Sequence, residues 1–431
     1  MSVRKNIKRI LFSGLLAILV IPLINSFIEI IPQKALSGYI ERKADTVFNL
    51  ETWFSGRYQV KEDEFVRDSF GCRIFFIRLH NKIRYTLANK ATAADIIVGK
   101  HGYIYGSGQV PAYDGENFQG VKKAIDQVSK LKFIQDTLAK LKKTFMFIFA
   151  PGKANYYPEY LPEQYCNTGR MNAYTCYSSL AQSFGVNVLD LNKYFLKIKE
   201  TSPYKLYTLS STHWTKYGSC IAGDSILSYI EEIGKYKLNH PHWDSIILSE
   251  AEGSEIENEE EMNLFFKLKR EQLGHPRLSF KPDTGFNRPS ALIVSDSYYW
   301  GLKENFKFEN AFSKVELLYY DRQVYRKGES DIKSIMKINL KEEIGKSNVI
   351  IIMLSEGNYA QFGWGFIDDV YALFTGKTPP FVAYYNRLNE LKAGIRNSPE
   401  WLHRLELSAK AKGIPVDSAV TLEAISIIER Q

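Results

Sequence analysis

Two short stretches of the sequence place a histidine and a serine where they can act together. In Leu209–Gly218, Leu-Ser-Ser-Thr-His-Trp-Thr-Lys-Tyr-Gly, His213 lies among small hydroxyl residues directly before an apolar helical pattern. In 291–300, Ala-Leu-Ile-Val-Ser-Asp-Ser-Tyr-Tyr-Trp, an apolar strand runs into Asp296 and Ser297. A hydroxyl nucleophile needs a neighbouring base, and a serine and a histidine at strand ends are the minimum parts of such a centre.

Acyl-transfer chemistry gives these residues their expected roles. Ser297 is the predicted nucleophile and His213 its general base, while backbone N–H groups in the sharp turn after the strand hold the oxyanion. The Trp214 ring is expected to pack beside the histidine and restrict its rotation. Each stretch also has an ordinary interpretation, because most of the seven histidines should be surface or core residues and Ser-Asp-Ser is common turn chemistry.

Together the two stretches resemble the SGNH hydrolase-like domain of the AlgJ/AlgX family of alginate O-acetyltransferases. That family carries Asp-Thr-His-Trp and later Gly-Asp-Ser-Phe, where this chain has Ser211-Thr-His-Trp and Ser295-Asp-Ser-Tyr. The family's Val-x-x-Gly-Lys-x-Gly-Trp-Leu-Phe hairpin is matched by residues 95–105, in which His101 is a turn residue. The resemblance implies an SGNH-type α/β fold of three layers with a mainly parallel sheet.

The resemblance breaks at the carboxylate that a triad needs. The family places an Asp two residues before the histidine, where this chain has Ser211. In a serine protease, loss of the corresponding carboxylate costs about four orders of magnitude in turnover. Three outcomes stay open: a Ser-His dyad, rescue by another acid such as Asp190 or Asp296, or a decayed site that binds glycan without turning it over. Ser295 replaces a glycine, which tolerates close approach and positive φ better.

Further site residues are predicted at the ends of other strands. Lys153 and Asn155 lie in a Pro-Gly-Lys-Ala-Asn loop where the family has Pro-x-Lys-x-x-x-Tyr, although the same loop is equally suited to start a helix. Glu356 stands where the family has a glutamate at a strand end. With Trp214 and Tyr298, these residues make up the predicted substrate contacts. No metal ligands are predicted, because no Cys/His spacing resembles a zinc site.

The hydrophobic pattern predicts the α/β layers independently of the resemblance. A helical stripe over 124–142 precedes a fully apolar strand, and such alternation is typical of a parallel sheet covered on both faces. In these sheets the functional loops leave the carboxyl ends of the strands. The C-terminal hundred or so residues have helical patterning and are expected to complete the same layer. The predicted strands are 145–149, 186–190, 292–294, 315–319 and 349–354.

The N-terminus predicts export. Four basic residues among the first nine precede an apolar run over 10–31, so the start is expected to stay in the cytoplasm. We expect an uncleaved signal anchor in the cell inner membrane, with the bulk of the chain periplasmic; a cleaved signal peptide is the alternative. The predicted division is 1–33 anchor, 34–90 connector with an amphipathic helix, and 91–431 SGNH-like domain with a polar insertion at about 239–290.

Three smaller features complete the sequence. Phe76, Leu79, Ile83 and Leu87 fall at helical spacing, which predicts an amphipathic helix packed on the domain. The insertion carries seven glutamates between positions 250 and 261 without the spacing of a calcium loop, and a solvated helix face or a mobile segment is expected there.

The four cysteines are assigned in two pairs of different kind. Cys166 and Cys176 lie ten residues apart in a polar stretch, so an oxidising compartment favours a disulfide between them over two free thiols. Cys72 and Cys220 are expected as buried free thiols.

The resemblance and the composition together leave three functions open. The net charge of +8 has no basic block beyond the first nine residues, which argues against a nucleic-acid partner. The leading hypothesis is a membrane-anchored O-acetyltransferase that acts on an exported polysaccharide, without a cofactor, and that receives acetyl from a multipass membrane O-acyltransferase, a partner implied by the resemblance alone. The second is a glycan acetylesterase using the same residues. The third is a catalytically silent polysaccharide-binding component, since 27 Tyr and 6 Trp suit sugar stacking as well as a core.

Overall fold

The chain folds into a mixed α/β structure with a central sheet, described by a computed structural model over residues 2–28, 34–38, 48–165 and 169–430. The strands are β1 Ile96–Val98, β2 Ile104–Gly106, β3 Thr144–Phe149, β4 Val188–Asp190, β5 His242–Glu250, β6 Gln272–Ser279, β7 Ser290–Ser295, β8 Lys314–Tyr319, β9 Gln323–Arg326, β10 Lys333–Ser334 and β11 Val349–Leu354. The helices are α1 Ser2–Phe27, α2 Leu50–Phe54, α3 Arg57–Ser69, α4 Arg73–Ala88, α5 Gln109–Asp114, α6 Val121–Lys140, α7 Lys153–Tyr156, α8 Ala173–Ser183, α9 Leu191–Ile198, α10 Lys216–Gly234, α11 Glu257–Glu261, α12 Tyr298–Asn305, α13 Leu340–Lys346, α14 Phe366–Phe374, α15 Pro380–Arg396, α16 Pro399–Lys412 and α17 Val416–Arg430.

The central sheet is mainly parallel, as the apolar strands predict. Its order is β10-β9-β8-β7-β11-β3-β4, in which β8, β7, β11, β3 and β4 run parallel and β9 pairs antiparallel with both β8 and β10. Alternate residues of each strand enter opposite layers, so that Phe147 packs with α6, α8, α13 and α14 while Met146 packs with α9, α10 and α12. The predicted three-layer α/β class is confirmed, and so is the hairpin of β1 and β2 with its turn at His101.

The loops that matter for chemistry meet at one edge of this sheet. β3, β7, β8 and β11 are parallel, so their carboxyl ends lie side by side. Those ends lead to Lys153, Ser297, Tyr320 and Ser355, respectively. The fold therefore brings distant parts of the chain together at one edge of the sheet.

The insertion between α10 and β7 is ordered by its acids. β5 and β6 form an antiparallel hairpin, and α11 lies between them in sequence. Glu255 is fully buried and receives His275 Nε2 at 3.0 Å, while Glu259 pairs with Arg270 at 2.6 Å. The expected solvated face is therefore wrong for these glutamates, because each has a polar partner within the insertion.

The N-terminal segment contains one apolar helix and a helical connector. Among the described residues, Lys5–Phe27 is the stretch long and apolar enough to cross a membrane, a test that a signal sequence also meets. Helix α4 forms as predicted, but its apolar stripe is not the packed one: Ile83 and Leu87 are exposed. Helix α4 contacts the insertion on another face: Asn81 and Arg78 donate to the Met262 and Leu264 carbonyls, and the Phe75 ring lies 5.0 Å from that of Phe265. The predicted packing face is therefore corrected.

The C-terminal helices divide between two cores. Helix α14 joins the sheet layer through Phe366, Ile367 and Val370. Helices α15, α16 and α17 instead pack on one another around a separate apolar cluster that includes Ile395 and Val420. The expectation that this whole region completes the α/β layer is therefore wrong beyond α14. The predicted domain division stays a prediction.

The cysteines follow the predictions in part. Cys72 and Cys220 are buried free thiols, as expected. Cys176 is a buried thiol on α8 without a disulfide partner in the described ranges. Cys166 lies outside the described residues, so the predicted Cys166–Cys176 disulfide stays a prediction.

Candidate active site

Ser297 is the second residue after the buried strand β7 and the N-cap residue of α12. Its backbone is helical, with φ −62° and ψ −16°, and the side chain is partly exposed at the sheet edge. The preceding Ser295 is fully buried and paired in register with Met353, so it needs no positive φ. The replacement of the family's glycine by Ser295 therefore introduces no left-handed backbone strain.

His213 reaches Ser297 across 84 positions of sequence. Its Nε2 lies 2.7 Å from Ser297 Oγ, a hydrogen-bonding distance for a base and its nucleophile. The loop that carries it is fixed at both ends: the Leu209 carbonyl accepts from the Ile104 amide at 2.8 Å, and Thr215 caps α10 through Gly218. The predicted proximity of His213 and Ser297 is confirmed.

The other imidazole nitrogen contacts a carboxylate from the insertion. His213 Nδ1 lies 2.6 Å from Glu257 Oε1, at the start of α11. The same oxygen accepts the backbone amides of Thr212 at 2.9 Å and His213 at 3.2 Å. Ser297, His213 and Glu257 thus form a continuous chain of contacts with the arrangement of a Ser-His-Glu triad.

Ser211 stands at the position where the family has its acid, and its hydroxyl bonds to the groups around it. Its Oγ lies 2.7 Å from the Ser254 carbonyl and 3.1 Å from Glu257 Oε1, and it accepts the His213 amide at 3.0 Å. The hydroxyl therefore links the histidine loop to the insertion. The missing carboxylate is replaced in space by Glu257, which the sequence analysis did not single out.

The two acids considered as substitutes serve other purposes. Asp190 caps α9 by accepting the Lys193 amide at 2.8 Å and also receives the Tyr174 hydroxyl. Asp296 is fully buried and accepts from Ser355, whose amide and hydroxyl lie 2.8 and 2.7 Å away, and from Asn358 Nδ2 at 3.0 Å. Neither bonds to His213, so the proposed rescue by either acid is corrected. Asp296 instead holds the ends of β7 and β11 together beside the serine.

The charges of His213 and Glu257 stabilise each other. Burial alone lowers the pKa of His213, but attraction and hydrogen bonding from Glu257, with smaller effects of Asp296 and Glu261, outweigh it, so the pKa is raised. Burial raises the pKa of Glu257, yet His213 and the backbone amides bonded to it produce a net lowering. The pair therefore favours an ionised glutamate beside a histidine that binds a proton readily.

Tyr320 lies close to the candidate nucleophile. Burial raises the pKa of Tyr320, and Asp296 adds to this, while Ser297 opposes it. The phenol therefore keeps its proton beside Ser297.

Four of the five predicted substrate contacts are buried. Lys153 and Trp214 lie in the interior, as does Tyr298, whose ring packs 4.9 Å from both His213 and Trp214. Glu356 is also buried and accepts the backbone amides at the start of α7. These residues position the site and do not line it, and the ring beside His213 is that of Tyr298 and not of Trp214.

Two of these corrections have clear physical causes. Burial raises the pKa of Glu356 to about 8, and a Cβ on Gly152 would overlap its carboxyl group, so the acid fills a close-packed space. Tyr298 donates its hydroxyl to the Thr212 carbonyl at 2.9 Å and receives Gln109 Nε2 at 3.0 Å. The remaining predicted contact, Asn155, is partly buried, with a side-chain nitrogen that lacks a partner in the described part of the chain.

Lys153 ties the histidine loop to the first hairpin. Its fully buried amine donates to the carbonyls of Ile104 at 2.5 Å, Leu209 at 2.8 Å and Ser211 at 2.9 Å. Burial lowers the pKa of Lys153 to about 7, with Glu271 and Glu257 opposing that shift. The side chain is inaccessible to substrate, which corrects its predicted role.

Replacing Lys153 by methionine is expected to destabilise the fold. The change fills similar volume but leaves three carbonyls without this donor, and a buried unsatisfied polar group costs about 1–3 kcal/mol. We expect a loss of about 2 kcal/mol or more, measured by urea unfolding of the detergent-solubilised full chain. Lys122→Met, at an exposed position of α6, is the matched control and should leave the unfolding midpoint unchanged. Equal midpoints for both variants would contradict this role.

Comparison with known proteins gives one sequence match and several distant structural ones. Residues 96–246 match the family model of the SGNH hydrolase-like domain of the acetyltransferase AlgX. The match includes His213 and ends before Glu257 and Ser297. No curated protein sequence matches the chain.

The solved structures with similar folds are all remote. The O-acetyltransferase domain of Pseudomonas putida AlgJ is 13% identical, with 64% of this chain and 99% of that chain covered at a TM-score of 0.42. Pseudomonas aeruginosa AlgX is 11% identical, with 65% and 67% covered and a TM-score of 0.42. Bacillus cereus PatB1 with a sulfonyl adduct is 12% identical, with 61% and 97% covered and a TM-score of 0.40. These similarities are low, and the sequence match covers residues 96–246 of the 431-residue chain.

Proposed function

We propose that this chain, whose residues 96–246 match the family model of the AlgX SGNH hydrolase-like acetyltransferase domain, is an O-acetyltransferase acting on polysaccharide hydroxyls. The observation that carries the proposal is the chain of contacts from Ser297 through His213 to Glu257, at 2.7 and 2.6 Å. A serine linked to a base, and a base linked to an acid, is the arrangement that activates a hydroxyl for acyl transfer.

The reaction proceeds in two halves at Ser297. Its Oγ attacks the carbonyl carbon of an acetyl donor while His213 Nε2 takes the hydroxyl proton, and the oxyanion is held by the Ser297 amide. Collapse of the intermediate expels the donor's leaving group, which receives the proton from His213 and leaves acetyl-Ser297. A sugar hydroxyl then attacks the acetyl group, His213 takes its proton and returns it to Ser297 Oγ, and the acetylated sugar departs. Glu257 stabilises the imidazolium in both halves.

The cellular arrangement that we propose follows from the N-terminal helix. With Lys5–Phe27 as a single-pass anchor in the inner membrane, the site lies on the periplasmic side, where exported polysaccharide passes. The acetyl donor would be a multipass membrane O-acyltransferase acting at the same membrane. The apolar helix supports the anchor, and family analogy supports the partner.

Trapping the covalent intermediate tests this function directly. The full chain in detergent is incubated with p-nitrophenyl acetate and digested, and the peptide carrying Ser297 is examined by mass spectrometry. We expect an acetyl adduct on Ser297 that disappears when an acceptor glycan is added, with acetyl appearing on the glycan. No adduct on Ser297 would overturn the proposal and favour the silent polysaccharide-binding component. An adduct that is lost to water alone, with no acetylated glycan, would identify an acetylesterase instead.

The pH dependence of the reaction is expected to reflect the raised pKa of His213. The neutral imidazole is the active base, so kcat/KM falls as the pH drops through the histidine pKa. Because Glu257 raises that pKa, the acid limb should lie above the ordinary histidine value of about 6.5. Glu257→Gln should move the limb to lower pH, since it removes the largest of the stabilising charges.

A second acid gives the matched control for this profile. Glu261 also raises the pKa of His213 but makes no hydrogen bond to it, so Glu261→Gln should shift the limb in the same direction by less. The profile is measured as kcat/KM for p-nitrophenyl acetate between pH 5 and 9, a range of about two units on either side of neutral. If Glu257→Gln did not change the pH at which kcat/KM falls on the acid side, the result would contradict His213 as the titrating base.

A further inference from the structure

Two neighbouring cavities lie at the carboxyl edge of the sheet, on the side of Ser297. One, of 390 Å³, is lined in part by Tyr320 and Asn358, which follow strands β8 and β11. The other, of 780 Å³, shares the lining residues Arg322 and Trp364 with the first. We call the two cavities together the Trp364 groove; the lining of the larger one includes Tyr384 of α15.

Two left-handed segments build the walls of the Trp364 groove. Tyr320 and Asp321 have φ of 51° and 52°, and across from them residues 362–365 have φ of 37°, 92°, 54° and 109°. Non-glycine residues in this region cost about 1–3 kcal/mol each and persist only where packing over-determines them. Phe362 supplies such packing, since it stacks on Tyr177 at 3.9 Å. The result is a Trp364 ring held edge-on to Tyr320 at 5.1 Å, with part of its surface open.

Asp321 places an unused carboxyl oxygen in this groove. Its Oδ1 is shielded from solvent and has no hydrogen-bond partner within the described ranges. Burial, with a contribution from Asp369, raises the pKa of Asp321 well above its ordinary value, which favours the protonated carboxyl, a group that can both donate and accept. Buried polar atoms without partners are rare in folded proteins. A ligand hydroxyl would satisfy this one.

The groove is held open from its far side. The Asp369 carboxylate accepts the Phe381 amide at 3.0 Å and thereby attaches the start of α15. Arg322 is exposed on the shared wall, and its guanidinium has no ion pair in the described part of the chain. An aromatic face, a carboxyl oxygen and a free guanidinium are the partners that a hydroxyl-rich ring requires.

We propose that the Trp364 groove binds the acceptor polysaccharide, with one sugar ring stacked on Trp364, a ring hydroxyl bonded to Asp321 and the next sugar directed at Ser297. This inference rests on the proposed function, which supplies the need for an acceptor next to the serine. Residues 320–384, which line the groove, lie outside the matched segment 96–246.

Binding is tested separately from chemistry in a Ser297→Ala background. The full chain in detergent is titrated calorimetrically with cellohexaose, a neutral oligosaccharide, and with an oligogalacturonate of similar length. We expect at least one probe to bind and Trp364→Ala to weaken it about tenfold or more, because loss of a stacking contact removes about one factor of ten in affinity. Trp364→Phe should keep most of the affinity, and Trp401→Phe, on α16, should keep all of it.

Asp321 gives a second, independent variant. Asp321→Ala should weaken binding several-fold, whereas Asp321→Asn, which tolerates the left-handed backbone and keeps a donor and an acceptor, should not. Binding that is equal in the Trp364→Ala and parent chains, or binding of neither probe, would overturn the groove assignment. A Trp364-dependent affinity without any acetyl adduct on Ser297 in the native chain would retain the groove and reject the transferase.

Discussion

Glu257→Ala is expected to lower kcat for acetyl transfer by about four orders of magnitude without unfolding the chain. Glu257 Oε1 contacts His213 Nδ1 and also accepts the Thr212 and His213 amides, so its loss removes both the orientation and the charge that support the imidazolium. Removal of the corresponding acid in serine hydrolases costs about that much. The measurement is single-turnover transfer to glycan, with circular dichroism to verify folding.

Glu257→Gln separates the two contributions. Because Oε1 is the atom bonded to both amides, the amide oxygen of glutamine can take its place and keep the His213 tautomer, while the negative charge is lost. The expected loss is therefore no larger than for alanine, with an upper limit of about four orders of magnitude, the cost of an amide in place of the acid in a serine protease. Glu260→Ala, at an exposed position of the same helix, is the matched control and should leave kcat unchanged.

Moving the acid back along the chain tests the geometry further. Ser211 lies 3.1 Å from Glu257 Oε1, so Ser211→Asp in the Glu257→Ala background places a carboxylate close to the vacated position. Partial recovery of kcat is expected. Activity of Glu257→Ala within tenfold of the parent chain would instead support a Ser-His dyad.

Glu257 shows where sequence reasoning reaches its limit. The strand pattern and the parallel order of the sheet are local and regular, so they predict that Ser297 and His213 lie at one edge. The position of Glu257 depends on how β5 and β6 pair and on where α11 packs as a result. The spacing of residues along the chain does not predict that pairing. Its one sequence signal is the serine at position 211, which shows that the acid must come from elsewhere without choosing among the insertion's glutamates.

Burial explains why the predicted substrate contacts were misassigned. Lys153 and Glu356 do follow strands at the functional edge, as the pattern indicates. Their side chains turn inward, because the carbonyls of the histidine loop and the amides at the start of α7 need partners there. Position along a strand is readable from sequence, whereas the direction of a long side chain at its end depends on the polar groups that other loops leave unpaired.

The most severe loss is expected for Ser297→Ala and His213→Ala, which should each reduce acetyl transfer by about six orders of magnitude. The two side chains share one hydrogen bond of 2.7 Å and act as a unit, so the double variant should be no worse than either single one. If the two side chains acted independently, the rate loss of the double variant would be the product of the two single losses. Equal rates in all three variants would therefore show that the two residues act together. The rate is measured as transfer of radiolabelled acetyl to glycan.

The control for this comparison is a hydroxyl next to the histidine that makes no contact with Ser297. Thr212 bonds through Oγ1 to Asn258 at 3.0 Å, and Thr212→Val is expected to keep transfer within about tenfold, since one neutral hydrogen bond contributes about 1 kcal/mol. Residual transfer in Ser297→Ala above that of His213→Ala would show that another nucleophile carries the acetyl group. In that case the contact between residues 213 and 297 would be structural. The rate losses of Ser297→Ala and His213→Ala are expected to be equal only if His213 is the base that deprotonates Ser297.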